Sequence, residues 1–203
     1  MTETTTREAY DGLADKYAEL FTTPFEGNSL DRGMHDAFAE MVTGSVADVG
    51  AGPGRVTAYL RSRGLDVFGM DLSPRMVTLA RQAYPDLRFE EGSMTSIGAA
   101  DASLGGIVSR YSVIHTRPEE LPVAFAEFAR VLAPGGHLLI SFYAHDGAAL
   151  AEPFDHKVTL AYKLSPGGVS GLLAEAGLTE VARLVRQPRE GERFLQACLL
   201  FRK

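Results

Sequence analysis

A glycine-rich turn near residue 50 constrains the fold of this chain more than any other feature. Val46–Val49 is a short apolar run of the length expected for a buried strand, and a helical pattern follows over 55–63. The strand ends in Asp48-Val49, and the turn that leads to the helix reads Gly50-Ala51-Gly52-Pro53-Gly54. Glycines here give the backbone torsions that other residues avoid and allow a ligand to approach the main chain. A strand, a glycine turn and a helix in this order are typical of a nucleotide-binding α/β domain.

The rest of the chain repeats the alternation of strand and helix. Short strand-like runs occur at 65–70, 87–89, 106–109 and 137–143, with helical patterns between them. Two final strands, near 178–185 and 194–201, are joined by a short turn and must therefore be antiparallel. The pattern predicts an α/β, Rossmann-like fold: a seven-stranded, mostly parallel sheet with its last strand antiparallel and helices on both faces. Residues 144–163 interrupt the alternation and are predicted to form a loop-rich insertion.

The first 44 residues are helical in pattern. Tyr10, Ala14, Tyr17 and Phe21 are spaced to share one helix face. We expect residues 1–44 to be a helical cap belonging to the same domain as residues 45–203, which would bind the ligand. Ligands of open α/β sheets bind beyond the carboxyl ends of the strands, an edge that both the cap and the insertion can reach. Tyr10 and Tyr17 either close over the ligand or form the seam by which the helix docks.

Length and charge limit the classes of function. A chain of 203 residues is the size of one ordinary domain, and it has no apolar stretch near the roughly 20 residues of a membrane span. A formal net charge of −6 argues against a nucleic-acid partner. The N-terminus lacks the apolar core of a secretory signal, so we expect a cytoplasmic protein with no membrane partner. Oligomeric state is not readable from the sequence.

An acidic residue follows the second predicted strand. Asp71 lies about 20 residues beyond the glycine turn, where a carboxylate can accept both hydroxyls of a ribose. A dinucleotide site requires the spacing G-x-G-x-x-G, whereas this chain has G-x-G-x-G at Gly50, Gly52 and Gly54. A nucleoside cofactor other than a dinucleotide is therefore favoured. An NAD(P)-dependent oxidoreductase remains the alternative, although the chain has no Tyr-x-x-x-Lys pair for hydride chemistry.

Three segments in order resemble class I S-adenosylmethionine (SAM) dependent methyltransferases. Val46–Gly54 resembles the first motif of that family, Gly69–Met76 the second, and Arg130–Leu138 the stretch leading into strand five. Residues 7–21 resemble, more loosely, the start of its small-molecule branch, which includes quinone-biosynthesis methyltransferases. The resemblance implies transfer of a methyl group from SAM to a small-molecule acceptor. A non-catalytic SAM-binding or nucleoside-binding protein would share the same motifs.

The resemblance also implies roles for individual residues. Ribose would be held by Asp71, while Tyr17 and Arg110 would join the cofactor-binding set. Other members of that set are Asp48, Gly50, Ala51 and Gly52 around the methionine part, and Leu72, Met76, Ser93 and Met94 around the adenine. Relatives often have an acidic residue where this chain has Ser93. They commonly have Phe-Asp where this chain has Gly105-Gly106, which we interpret as looser packing of strand four.

Two residues just past strand four are the catalytic candidates. His115 is either a general base, since imidazole titrates near neutral pH, or a structural residue. Tyr111 is expected to line the acceptor pocket. No metal is predicted, because the pairs His145-Asp146 and Asp155-His156 match no known ligand spacing. The sequence does not identify the acceptor or say whether oxygen, nitrogen, sulfur or carbon is methylated.

Overall fold

A computed structural model describes residues 3–20, 25 and 27–203, with the side chains of 16–20 left out. The helices of the described chain are α1 (Glu3–Leu20), α2 (Ser29–Met41), α3 (Arg55–Ser62), α4 (Pro74–Ala83), α5 (Leu121–Val131) and α6 (Pro166–Glu175). The strands are β1 (Val46–Val49), β2 (Val67–Asp71), β3 (Phe89–Glu91), β4 (Leu104–Arg110), β5 (Leu132–Ala144), β6 (Ala151–His156), β7 (Thr159–Leu164), β8 (Thr179–Arg186) and β9 (Leu195–Arg202). None of the helices in these ranges is long and apolar enough to cross a membrane.

One mixed sheet contains all of these strands. Strands β3, β2, β1, β4 and β5 are parallel neighbours in that order. Strand β9 pairs antiparallel with β5, and β8 pairs antiparallel with β9. Strand β1 is buried along its whole length because it lies inside the parallel part of the sheet. The predicted fold class, a mostly parallel sheet with its last strand antiparallel, is confirmed, although the sheet of the described residues has nine strands and not the predicted seven.

The insertion predicted as loop-rich instead forms a hairpin. Strands β6 and β7 pair antiparallel from Ala151 with Leu164 to His156 with Thr159. The hairpin joins the main sheet where Leu164 pairs in parallel with Ala144 at the end of β5. The prediction of a loop was wrong because the residues of β6 are only partly buried or exposed, so β6 lacks the apolar run that marks a buried strand.

Serine side chains cap the starts of two helices. The Ser73 hydroxyl accepts the Met76 N–H at 3.1 Å, and Pro74 occupies the first turn of α4. The Ser165 hydroxyl accepts the Gly168 N–H at 3.3 Å at the start of α6. These caps fix where two of the helices leave the carboxyl edge of the sheet.

The two glycines of β4 allow close packing by the N-terminal segment. A Cβ on Gly105 would lie 1.7 Å from the Thr43 carbonyl oxygen, and one on Gly106 would lie 2.7 Å from the Phe38 ring of α2. The interpretation as looser packing was therefore wrong, since the missing side chains let α2 and the segment after it approach the strand. Phe38 is fully buried at this contact.

Helix α1 packs on α4. The Asp11 carboxylate accepts the Ser73 hydroxyl at 2.5 Å and the Arg75 N–H at 3.2 Å, and Asp15 pairs with the Arg75 guanidinium at 2.5 Å. Ala14, on the predicted face, is buried. The side chain of Tyr17 and the whole of Phe21 lie outside the described residues, so their predicted places on this face stay predictions.

Candidate active site

A cavity of about 890 Å³ opens beyond the carboxyl ends of β1, β4 and β5. Its walls are of two kinds, which we name by their residues. The glycine half is lined by Tyr10, Asp48, Gly50, Ala51, Gly52 and Arg110, and the aromatic half by Tyr111, Tyr143, Phe154, His156, Phe194 and Gln196. The volume lies at the upper end of the range for small-molecule sites, about 300–1,000 Å³.

Gly50 and Gly52 of the turn are glycines for different structural reasons. Both Gly50 and Gly52 have left-handed torsions, with φ of 79° and 53°. A Cβ on Gly50 would lie 2.2 Å from the Ser112 side chain, so Gly50 is required by packing inside the protein. A Cβ on Gly52 would meet no protein atom within 4 Å. Gly52 therefore keeps open a space that lies in the cavity, which is what a ligand-binding turn needs.

A buried carboxyl group forms the floor of the glycine half. Asp48 is 1% exposed, and its carboxyl accepts the Thr57 hydroxyl at 2.7 Å. Burial raises the pKa of Asp48 to about 7. A cationic group placed against this carboxyl would favour its ionised form.

Asp71 joins the glycine turn to the start of α4. Its two carboxylate oxygens accept the Gly52 N–H at 2.8 Å and the Ser73 N–H at 2.9 Å. Burial raises the pKa of Asp71 despite these bonds. Each oxygen keeps a free lone pair, so the carboxylate can still accept a further hydroxyl.

The residues predicted to contact ribose and adenine do not line the cavity. Asp71, Leu72, Met76, Ser93 and Met94 lie along the edge on which α1 packs, and Met76 is 1% exposed. The Ser93 hydroxyl donates to Glu3 of α1. Of the predicted cofactor residues whose side chains are described, the structure brings Asp48, Gly50, Ala51, Gly52 and Arg110 together in the cavity.

Arg110 presents an unpaired positive charge to the glycine half. Its guanidinium lies 5.2 Å from the centre of the Phe25 ring and 4.9 Å from that of Tyr111. Its Nε is buried without a hydrogen-bond partner, and no carboxylate of the described residues pairs with it. A partly buried cation without an anion is costly, so this position suits an anionic ligand.

His115 lies behind the cavity wall with both ring nitrogens occupied. Nδ1 lies 3.0 Å from the Leu160 carbonyl, which only accepts hydrogen bonds, so Nδ1 carries the proton. Nε2 therefore accepts the Tyr10 hydroxyl at 2.8 Å. Burial lowers the pKa of His115 to about 4, which makes this neutral form the stable one. Tyr10, and not His115, faces the cavity.

Tyr111 lies on the boundary between the two halves. It adopts a left-handed φ of 55°, which is uncommon for a residue with a side chain. Its hydroxyl donates to the Gln196 side-chain carbonyl at 2.6 Å, and burial raises its pKa. This environment keeps the phenol protonated, and Tyr111 lines the cavity. Its role toward an acceptor stays a prediction.

The aromatic half was missed by the sequence reading, apart from Tyr111. Tyr143 packs against Tyr111 with ring centres 5.0 Å apart, and against Phe154 at 5.5 Å. Phe154 and Phe194 meet at 4.8 Å in a T-shaped contact. These rings come from β5, β6 and the turn before β9, so only the hairpin brings them together. Alternating aromatic residues at Phe154 and His156 were the one local sign of a strand.

The two histidine pairs considered as metal ligands have other surroundings. His145 contacts Glu152 at 3.4 Å, whereas the His156 ring packs against His115 at 5.2 Å. Within the described ranges, no group of three or more His, Cys, Asp or Glu side chains is arranged to hold a metal ion.

Comparison with known proteins agrees with this arrangement. Residues 47–140, from β1 to β5, match the family described as a methyltransferase domain. The chain is 37% identical over 92 residues to a demethylmenaquinone methyltransferase of Chlorobaculum parvum, a match covering 45% of this chain and 37% of that protein. Residues 47–140 are therefore similar to a methyltransferase domain, and the relatives and solved structures that resemble the chain include SAM-dependent methyltransferases. Because the match spans well under two thirds of that relative's length, the relative's own activity is not carried over with it.

Solved structures share the fold of the family. A 1,6-didemethyltoxoflavin-N1-methyltransferase of Burkholderia thailandensis, bound to its acceptor and S-adenosylhomocysteine (SAH), is 22% identical with a TM-score of 0.75, over 98% of this chain and 88% of that one. The (4+2)-cyclase SpnF is 16% identical with a TM-score of 0.79, over 100% and 97% of the two chains. One of these proteins is named for methyl transfer and the other for cyclisation, so the methyltransferase fold alone does not fix the reaction.

Proposed function

We propose that this protein transfers a methyl group from SAM to a small-molecule acceptor. The observation that carries the proposal is the open space at Gly52, in the cavity that the buried carboxyl of Asp48 and the unpaired guanidinium of Arg110 also line. The methionine part of SAM bears an ammonium and a carboxylate, which complement these two groups. A dinucleotide offers a pyrophosphate in place of that pair.

The remaining cofactor residues are assigned from their positions around the same turn. Asp71, hydrogen-bonded to the Gly52 N–H, would accept the ribose hydroxyls. Leu72, Met76, Ser93 and Met94 would contact the adenine under α1, and Tyr17 would close from α1. These assignments follow the family motifs, and the packing of α1 on α4 supplies a cover for that end of the cofactor.

Bound SAM supplies a methyl group on a positive sulfur, so that the acceptor's lone pair forms a bond to carbon while the carbon–sulfur pair stays on sulfur. The protein orients the two reactants and excludes water from between them. Tyr111, held by Gln196, lies on the boundary where the two ligands would meet. With its nitrogens occupied and its pKa near 4, His115 is a poor general base. We therefore propose an acceptor atom that reacts without an enzymic base or loses its proton to water.

Thermal unfolding with four candidate ligands tests the cofactor assignment. A ligand bound only by the native state stabilises that state, so SAM and SAH should raise the melting temperature. At a ligand concentration 100 times the dissociation constant, the free energy of unfolding should rise by about 2.7 kcal/mol. NAD and NADP should leave it unchanged. Stabilisation by NAD or NADP alone would overturn the assignment in favour of an oxidoreductase. Formation of SAH from SAM with a panel of small acceptors then separates an enzyme from a non-catalytic SAM-binding protein.

A further inference from the structure

The aromatic half offers an apolar wall of three rings that meet edge-on, at interplanar angles of 64–87°. Tyr143, Phe154 and Phe194 are each only partly buried, although they pack on one another. Their rings come from three separate segments and line the cavity next to Tyr111. An aromatic ring system suits such a surface, since offset and edge-on contacts between rings add to the apolar area buried.

Beside these rings the cavity wall carries an excess of positive charge. Arg193 and Lys157 line the cavity there, and neither forms an ion pair with a carboxylate of the described residues. Glu190, which also lines the cavity, offsets one of these two charges. Two other arginines of the cavity are neutralised: Arg186 pairs with Asp31 and Glu192, and Arg189 also pairs with Glu192. In a chain with net charge −6, an unpaired cluster of cations in one cavity favours an anionic ligand.

Arg193 is held ready to bind an anion. Its guanidinium lies 4.8 Å from the centre of the Phe194 ring, and one terminal nitrogen donates to the Asp155 carbonyl at 3.0 Å. The hydrogen bond ties the turn before β9 to the β6–β7 hairpin, two residues from Lys157. The other N–H groups of the Arg193 guanidinium remain in the planar arrangement that matches a carboxylate.

From this juxtaposition we infer that the methyl acceptor is a planar aromatic or conjugated acid. Its ring lies against Tyr143, Phe154 and Phe194, and its anionic group meets Arg193 and Lys157. The inference rests on the proposed function, because it assigns the aromatic half to the acceptor. It narrows the acceptor from any small molecule to an anionic, flat one.

A matched pair of probes tests the charge requirement. The acid 1-hydroxy-2-naphthoate and its neutral carboxamide share one ring system, and their affinities are measured by calorimetry with and without SAH. We expect the acid to bind at least roughly tenfold more tightly, with a gap that narrows as salt screens the arginine. Cyclohexanecarboxylate, which has the charge without the flat ring, should bind more weakly than the naphthoate.

Two variants that each remove one arginine charge distinguish a direct contact of Arg193 with the acid from the overall positive charge of the cavity. Arg193→Gln should weaken binding of the acid roughly tenfold and leave the carboxamide unchanged. Arg189→Gln is the control, since its charge is already paired with Glu192, and it should leave both affinities unchanged. Equal affinity for the acid and the carboxamide, no binding of either, or equal effects of the two variants would overturn the inference. Failure of SAH to bind, measured separately, would instead contradict the proposed function.

Discussion

The two halves of the cavity are built in different ways. The lining of the glycine half comes largely from one continuous segment, which is tied to β2 by the Gly50 and Ala51 N–H groups donating to the Met70 carbonyl at 2.7 and 3.0 Å. The aromatic half is assembled from side chains that are distant in sequence, such as Tyr111 and Phe194, and is held by ring packing. Backbone geometry thus shapes the half assigned to the cofactor, whereas side chains on a hairpin and a turn shape the half assigned to the acceptor. Changes in the first half should affect every substrate, and changes in the second should discriminate among acceptors.

The largest effect is expected from filling the glycine half. Gly52→Val places a branched side chain in the space that Gly52 leaves open, so SAM affinity should fall by at least about 100-fold, measured by calorimetry. Affinity for the naphthoate probe in the aromatic half should change little. Loss of SAM affinity with unchanged naphthoate affinity would show that the two halves bind different ligands.

Backbone strain needs its own control, because Gly52 has a left-handed φ that valine rarely adopts. Gly64→Val introduces the same strain at φ 90°, also with no atom within 4 Å, on the loop after α3. It should lower the melting temperature to a similar extent and leave SAM affinity intact. A folded Gly52→Val protein that binds SAM normally would refute the role given to the turn.

The sequence predicted the glycine half well because its geometry is local. The left-handed glycines, the buried strand before them and the Ser73 cap are each determined by neighbours in the chain. The aromatic half was not predictable in this way. Phe154 and Phe194 meet only because β6 and β7 pair, and their partly exposed strands lack the apolar pattern of a buried strand.

Packing across distant segments also explains the other errors and open points. The meaning of Gly105 and Gly106 depends on Thr43 and Phe38, which lie more than 60 residues earlier. Similarly, the occupied nitrogens of His115 depend on Tyr10 and Leu160, so its sequence neighbours alone left two roles open.

The second expected effect is a pH dependence that arises in the glycine half. Asp48 has a pKa near 7 in the folded protein and an ordinary value of 3.8 in the unfolded chain. Between these pH values the folded state binds more protons at Asp48 than the unfolded state does. The contribution of Asp48 to the free energy of unfolding is therefore greatest below pH 4 and is lost as pH rises toward 7. Asp48→Asn keeps an acceptor for the Thr57 hydroxyl and removes this dependence. The stability of wild type relative to the variant should fall by about 2–4 kcal/mol from pH 4 to 7.

Urea unfolding at four pH values measures this difference. The folded pKa values of His35 and His115 are both lowered to about 4, so these residues make stability rise with pH, opposite to Asp48. Both residues are present in wild type and in Asp48→Asn, so their contributions cancel in the difference between the two free energies of unfolding. Arg193→Gln keeps Asp48, so the stability of this variant relative to wild type should not change over the same pH range. Parallel stability curves for wild type and Asp48→Asn would mean that folding does not raise the pKa of Asp48.

The smallest effect is expected at His115, which connects the two halves by binding Tyr10 on α1 and Leu160 on β7. A general base at this position would make His115→Gln lose roughly 10²–10⁴ in turnover. Glutamine offers one acceptor and an N–H donor, so it can replace both bonds without a titrating group. We therefore expect turnover within about threefold of wild type, intact SAM affinity, and a loss of stability of about 1 kcal/mol. The measurement is SAH release with any acceptor that wild type methylates, below the melting temperature of the variant. A hundredfold loss of turnover with intact SAM binding would show that His115 removes a proton, and would point to a hydroxyl acceptor.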